Sequence, residues 1–172
     1  RWDEEDNYSP EQKVVPKIES VSCWSFYPDP AATSIDDCSY IIQRHRLNRS
    51  QVRDLMDKPF FNPEAVAACL DMGPNYDDKY FEDTIRSENL EAHQNNDRYE
   101  ILEFWGNLDS HLVQDMGIPM DMDDLTEIPV NVWVCGNQVL RVVMNPFVPY
   151  RIPYFSVPYE INPYQLFGVG IP

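Results

Sequence analysis

The sequence predicts an α+β fold with a mainly antiparallel sheet. Apolar residues recur at helical spacing within residues 48–91 and alternate with a period of two from about Tyr99 onward. The pair Gly136-Asn137 separates two runs of β-branched residues, which is a strong hairpin signal. A chain of 172 residues is long enough to bury one core. We therefore expect an acidic linker over residues 1–12 and a single domain over residues 13–172.

The expected strands are segments rich in β-branched and aromatic residues that end at turn residues. They lie near residues 14–27, 40–47, 99–106, 130–144 and 153–160. Both faces of the 130–144 hairpin are apolar, since valines alternate with Trp133 and Cys135. Strands of this kind are covered on both faces or meet a partner.

Two capping patterns place helices in the first half of the chain. Asn48 or Ser50 can cap a short helix that follows the second expected strand. The next pattern is the strongest in the chain, with Asn62 at the N-cap, proline in the first turn and Gly73 beyond the end. A further helix is expected over residues 77–91.

The segment Asn145–Pro172, here called the strap, is rich in proline and aromatic residues. Proline at this density forbids a helix and discourages pairing inside a sheet. We expect little regular structure, with aromatic rings anchoring the strap to the sheet or to a neighbouring subunit. Tyr154 and Phe155 are the predicted interface residues, so changing both to alanine should abolish a weak self-association of the chain.

The chain carries 13 basic and 29 acidic residues, a net charge of −16, and every acidic residue except Glu160 lies in residues 1–127. Such a chain is a poor general phosphate binder, because counterion release requires clustered Lys and Arg. Its acidity suits a passage along which DNA slides without sticking, or repulsion between neighbours for solubility. No apolar stretch approaches the about 18 residues of a membrane-spanning helix, so no membrane contact is predicted.

The four cysteines are too sparse for a disulfide-stapled module. Cys23, Cys38, Cys69 and Cys135 have irregular spacings and include no C-x-x-C pair. We expect no disulfide and four free thiols in a reducing compartment.

The sequence predicts no catalytic, cofactor or metal site. Glu100 and Glu103 share a strand but point to opposite faces, so they are interpreted as a solvated charge and an edge charge. The acidic run at residues 121–124 resembles the start of a calcium loop, but Leu125 and Thr126 break the pattern. The three histidines lie in separate elements without zinc-ligand spacing.

One basic cluster stands out in this acidic chain, formed by Arg44, Arg46, Arg49 and Arg53. The first two share a strand face, and the last two lie one helical turn apart. They indicate a protein interface or neutralisation of nearby acids, and less so a nucleic-acid contact, because no aromatic platform is interleaved with them.

Short motifs also follow one another in a recognisable order over most of residues 20–172. They are Asp29-Pro30-Ala31-Ala32, Asp36-Asp37, Ile41-Ile42-Gln43-Arg44, the Asn48–Met56 helix, Glu103-Phe104-Trp105, Val139-Leu140-Arg141, Asn145-Pro146, Ile152-Pro153-Tyr154 and Phe167-Gly168-Val169-Gly170. This order resembles the portal (head-to-tail connector) proteins of tailed bacteriophages, short-tailed ones in particular. Asn48-Arg49-Ser50-Gln51-Val52 stands in the place of a threonine-x-x-glutamate-leucine-like element.

The resemblance implies the wing-like part of a larger structural subunit that is not an enzyme and uses no cofactor. In that family the subunits form a ring, usually a dodecamer, at one capsid vertex. The implied partners are copies of the chain itself and capsid, scaffolding, packaging-motor and tail adaptor proteins, first in the host cytoplasm during assembly and then in the virion. DNA is packaged and ejected through the whole ring, and the resemblance places no DNA contact on this part.

Two other classes of function stay open on the residues alone. An interaction module of another large assembly has the same composition, and an unrecognised hydrolase fits it less well, since fold and composition do not fix function. A hydrolase should show a deep pocket with convergent polar groups, whereas an assembly protein should show flat apolar surfaces.

Overall fold

The computed structural model describes residues 17–76, 97–117, 127–158, 160 and 162–168. Within these residues the fold is α+β, as predicted, with a five-stranded antiparallel sheet and a few short helices. The strands are β1 (Phe26–Pro28), β2 (Tyr40–Leu47), β3 (Tyr99–Asp109), β4 (Glu127–Cys135) and β5 (Gln138–Met144). Their order in the sheet follows the chain, so β3 is central while β1 and β5 form the edges.

The β4–β5 hairpin confirms the predicted turn at Gly136-Asn137. Gly136 has a φ of 57°, a left-handed conformation that glycine adopts without steric cost. The pairing of the two strands shifts register between Trp133 and Val134. Such an irregularity bends a strand and re-aims its side chains.

Two helices begin where the capping residues predict. α1 (Arg49–Arg53) follows Asn48, which exchanges side-chain to backbone hydrogen bonds of 2.8 and 2.9 Å with Gln51. α2 (Pro63–Met72) follows Asn62, whose Oδ1 accepts from two backbone N–H groups of the first turn. Both helices therefore have their starting points fixed by local side-chain chemistry.

A third helix, α3 (Ser110–Asp115), follows β3 directly and was not predicted. Asp109 caps it by accepting a hydrogen bond of 2.8 Å from the backbone N–H of His111. With only 6 residues it is shorter than two turns, so its apolar residues are too few to show a helical periodicity in the sequence. Val113 is its buried residue.

Buried side chains cover both faces of the sheet. One face packs against α1 and α2, in a cluster that contains Val66 and Tyr99. The other face packs against α3, in a cluster that contains Val113 and Val130. The prediction of strands covered on both sides is therefore confirmed for β4.

The structure contradicts the prediction of four free thiols. Cys69 of α2 and Cys135 at the end of β4 form a disulfide, with Cα atoms 6.2 Å apart, while Cys23 and Cys38 are free. The packing of α2 on the sheet brings the two buried thiols together at an ordinary disulfide separation. They are 66 residues apart in sequence, so no spacing rule could indicate the pair.

Two predicted strands are wrong where the structure describes them. Of the strand expected near residues 14–27, only the end pairs with β2, as Phe26–Pro28, because a 3-10 turn at Cys23–Ser25 precedes it. Residues 153–158 form no strand, since proline lacks the N–H that a ladder needs. The described residues of the strap contain neither helix nor strand, which agrees with the expectation of little regular structure but not with the strand expected within it.

The remaining predictions of local structure lie outside the described residues. They concern the linker over residues 1–12, the helix over residues 77–91 and the acidic run at residues 121–124. Among the helices that the structure describes, none has the length and apolar character needed to cross a bilayer.

Candidate functional site

A cluster of polar side chains lies on the same sheet face as α1 and α2. At its centre, the Glu103 carboxylate accepts hydrogen bonds from His45 Nε2 at 2.8 Å, Trp105 Nε1 at 2.8 Å and Asn131 Nδ2 at 3.1 Å. The donors come from β2, β3 and β4, so one carboxylate ties three adjacent strands together. Only 12% of the Glu103 side chain is exposed.

Hydrogen bonding keeps Glu103 ionised in spite of its burial. Burial alone would raise the pKa of Glu103, but the hydrogen bond and charge of His45, with the bonds from Trp105 and Asn131, outweigh it. The pKa of Glu103 therefore lies below its ordinary value of 4.5. An ionised carboxylate only accepts hydrogen bonds, so it fixes the orientation of all three donors.

Aromatic rings enclose one side of this cluster. The His45 ring stacks on Trp133 with centroids 4.8 Å apart and an interplanar angle of 14°. Trp133 in turn meets Phe61 edge-on at 5.4 Å, and the Arg141 guanidinium lies 5.4 Å from the centre of the same Phe61 ring. Burial lowers the pKa of Arg141, and the charge of Glu103 opposes that shift.

The strap crosses this face of the sheet and is anchored through Tyr154. The Tyr154 hydroxyl donates to Gln43 Oε1 at 2.6 Å, and its ring meets Phe26 edge-on at 5.3 Å. Burial raises the pKa of Tyr154, and the negative charge of the cluster adds to the shift. Nearer the start of the strap, Asn145 Nδ2 donates to the carbonyl oxygen of Arg151 at 2.9 Å.

The outer side of the strap is exposed and apolar. Phe155 is 69% exposed, although the adjacent Tyr154 packs inward. The other large apolar residues that are exposed in the described part of the strap are Phe147, Val148, Tyr150, Val157, Tyr164 and Phe167. Two grooves follow the strap, one of about 780 Å³ beside the ends of β3, β4 and β5 and one of about 540 Å³ beside residues 18–26.

The four arginines of the basic cluster occupy two different environments. Arg44 is 4% exposed, and its Nε donates to Glu100 Oε2 at 2.8 Å. The guanidinium groups of Arg44 and Arg46 lie 4.0 and 5.0 Å from the centre of one tyrosine ring. Arg49 and Arg53 are exposed on α1. The structure thus holds Arg44 inside the domain and presents Arg49 and Arg53 at the surface.

Glu100 and Glu103 point to opposite faces of β3, which excludes the paired carboxylates of a glycosidase. The interpretation of Glu103 as an edge charge is wrong, because β3 is central and only 12% of the Glu103 side chain is exposed. Glu100, interpreted as a solvated charge, is 29% exposed and forms an ion pair with Arg44. Sequence reasoning missed the His45–Glu103 pair because strand register, not sequence spacing, joins residues 58 positions apart. Among the described residues, no group of three or more side chains could hold a metal ion.

An exposed apolar strap fixed on a rigid sheet is typical of an assembly protein, whose surface binds other proteins. The family described as Phage SU10 portal protein matches residues 5–172, and the chain therefore belongs to this family. It is a structural protein of a bacteriophage virion, and portal proteins work as oligomeric rings assembled with other phage proteins. The resemblance drawn from the sequence motifs is confirmed. A comparison with curated proteins gave no match.

Proposed function

We propose that the chain is the wing-like part of a portal subunit, folded as a single domain over residues 13–172. The ring, of twelve copies, stands at one capsid vertex, joins head to tail and lets DNA be packaged and ejected through its channel. The family match over residues 5–172 carries this proposal. The net charge of −16 supports it, since an acidic ring lets DNA pass without sticking.

The partners that we propose are those of a connector. Copies of the chain meet one another in the ring, and the assembled ring meets capsid, scaffolding, packaging-motor and tail adaptor proteins. Assembly takes place in the host cytoplasm, before the ring becomes part of the virion. A protein with these contacts needs several apolar surfaces rather than one enclosed pocket.

The strap is the proposed contact with the neighbouring copy. Among its described residues, five aromatic side chains are 43, 59, 69, 84 and 48% exposed. At about 150–250 Å² for each buried aromatic side chain, they leave on the order of 600 Å² of ring surface open. This open area is comparable with the surface, about 800 Å², that each partner contributes to a standard protein interface.

The basic cluster is a second proposed contact. Arg49 and Arg53 are exposed on α1, and in a ring of acidic subunits they would face carboxylates of an adjacent chain. Arg44 and Arg46 both lie over one tyrosine ring and belong to β2, the strand that leads into α1. Their contribution to the interface is then to position α1.

Sedimentation velocity over a concentration series tests the strap contact. We expect the chain to self-associate reversibly, and the double variant Tyr154→Ala/Phe155→Ala to stay monomeric at the same concentrations. Phe155→Ala alone should weaken association without changing the thermal midpoint, because its ring is 69% exposed. Tyr154→Ala should also lower the midpoint, because it removes the hydrogen bond to Gln43.

A matched control is Leu112→Ala on α3, which removes a side chain that is 49% exposed away from the strap. Its association should equal that of the unmodified chain. A chain that remains monomeric at the highest accessible concentration would contradict the proposed ring contact. Equal weakening by Leu112→Ala and Phe155→Ala would also contradict it, since association would then not depend on the strap.

A further inference from the structure

Phe60 combines an unusual backbone conformation with an unusually exposed ring. Its φ is 68°, in the left-handed region, where a bulky side chain is a genuine outlier. Its side chain is 74% exposed, so burial of its own ring does not compensate for the strain. Backbone strain of this kind persists only where the surroundings impose it, and it concentrates at functional positions.

The residues that follow Phe60 fix it firmly beside β5. Phe61 is buried against Trp133 and forms an isolated bridge with Arg141 of β5. The backbone N–H of Asn62 donates to the carbonyl oxygen of Leu140 at 2.8 Å. Phe60 is therefore a rigidly held apolar projection at the β5 edge of the sheet.

An apolar groove lies at the other edge of the sheet, beside β1. We call it the edge groove; it has a volume of about 540 Å³ and is lined by Ile18, Val21, Cys23, Phe26, Leu166 and Phe167, among others. Pockets of about 300–1,000 Å³ accept drug-sized ligands, so this volume is ample for one aromatic ring. Four strand spacings, or about 19 Å, separate the two edges.

We propose that Phe60 of one copy inserts into the edge groove of the next copy, so that identical subunits join head to tail. A projection and a receptor at opposite edges make a heterologous contact, which generates a ring when the rotation closes. The groove also shares residues 153–157 with the strap, so the contact is continuous with the strap interface. This inference rests on the proposed ring function and identifies the two surfaces that would meet.

Site-directed crosslinking tests which surfaces meet. Cys23 is a free, exposed thiol that lines the edge groove, and Lys58 is exposed two residues before Phe60. In the Lys58→Cys variant, each copy carries one exposed thiol at each edge, while the free thiol of Cys38 is buried. A short bismaleimide should then give a ladder of covalent multimers, with peptide mapping that joins position 58 to Cys23.

Three matched variants complete the crosslinking test. The ladder should disappear in Lys58→Cys/Cys23→Ser and in Lys58→Cys/Phe60→Gly. Leu112→Cys, which places the thiol on α3 instead, should give no ladder. A ladder that survives Phe60→Gly would overturn the role of the Phe60 ring. Crosslinks that map only between identical positions would overturn the head-to-tail arrangement.

Phe60→Gly separates the contact from a structural role. Glycine adopts a φ of 68° without a steric cost, so the thermal midpoint should equal or exceed that of the unmodified chain. Removal of an interface anchor should weaken self-association at least tenfold. Unchanged association in Phe60→Gly, with loss in the strap variants, overturns this inference and leaves the strap contact standing. A monomeric unmodified chain instead contradicts the proposed ring function itself.

Discussion

Replacement of Glu103 by alanine tests whether the polar cluster holds the sheet together. The change removes the acceptor of three hydrogen bonds and leaves His45, Trp105 and Asn131 without their shared partner. Each hydrogen bond to a charged group is worth about 1.5–3 kcal/mol, so the loss of all three is expected to cost about 3–5 kcal/mol of unfolding free energy once the partly exposed groups regain water. For a chain of this size, a loss of that magnitude lowers the thermal midpoint by about 10 °C. Urea denaturation followed by circular dichroism at pH 7 measures the free energy directly.

The pH dependence of stability gives an independent check on the same residue. The pKa of Glu103 in the folded chain lies below its ordinary value of 4.5, so unfolding takes up a proton in the interval between the two values. The contribution of Glu103 is therefore complete above pH 4.5 and is lost as the pH falls through the folded pKa.

The glutamine of Glu103→Gln does not ionise, so its contribution to stability does not change with pH in this range. The stability difference between the unmodified chain and this variant should therefore shrink as the pH falls below 4.5, where Glu103 is protonated. Glu127→Gln, at an exposed position of β4, is the matched control and should change stability little. A loss of less than about 1 kcal/mol in Glu103→Ala would refute the assignment of a central role, since buried pairs cost more to break. A stability difference that does not depend on pH would refute the ionised state.

One chemical test and two variants probe the fold. Thiol titration of the denatured chain without reductant should find two free thiols. Reduction of Cys69–Cys135 should cost about 4 kcal/mol of unfolding free energy, given the 66 residues that the crosslink spans. Gly106→Ala should destabilise the chain by about 1–3 kcal/mol in urea denaturation, because the added Cβ would lie 2.8 Å from the Phe104 ring. Asn62→Ala should cost about 1 kcal/mol in the same assay, through loss of the α2 N-cap.

Local chemistry made part of the fold predictable from the sequence. The caps at Asn48 and Asn62 act within one helical turn, and the Gly136-Asn137 turn acts between adjacent residues. Each of these signals is complete within a few positions of the chain, which is why the helix starts and the hairpin were predicted correctly. The disulfide Cys69–Cys135 depends on how α2 packs on the sheet, and no local signal carries that information.

The polar cluster could not be predicted from the sequence, for a related physical reason. His45 and Glu103 meet only because β2 and β3 pair in one register, and a shift by one residue would place them on opposite faces. The strap was predictable in part, since its proline density excludes a helix, but the strand expected near residues 153–160 is absent from the described part of that range. The inward position of Tyr154 and the outward position of Phe155 were not predictable, because the partner Gln43 lies 111 residues away.

The polar cluster links the two surfaces through which we propose that copies meet. Trp133 stacks on His45 and also packs edge-on against Phe61. The cluster therefore supports Phe61 and, through it, the adjacent Phe60. On the strap side, Gln43 of β2 lies opposite Glu103 and accepts the hydrogen bond of Tyr154. A head-to-tail ring closes only if projection and groove keep a fixed angle to each other. A charged cluster that binds three strands by directed hydrogen bonds meets that requirement better than apolar packing alone, because apolar contacts are non-directional.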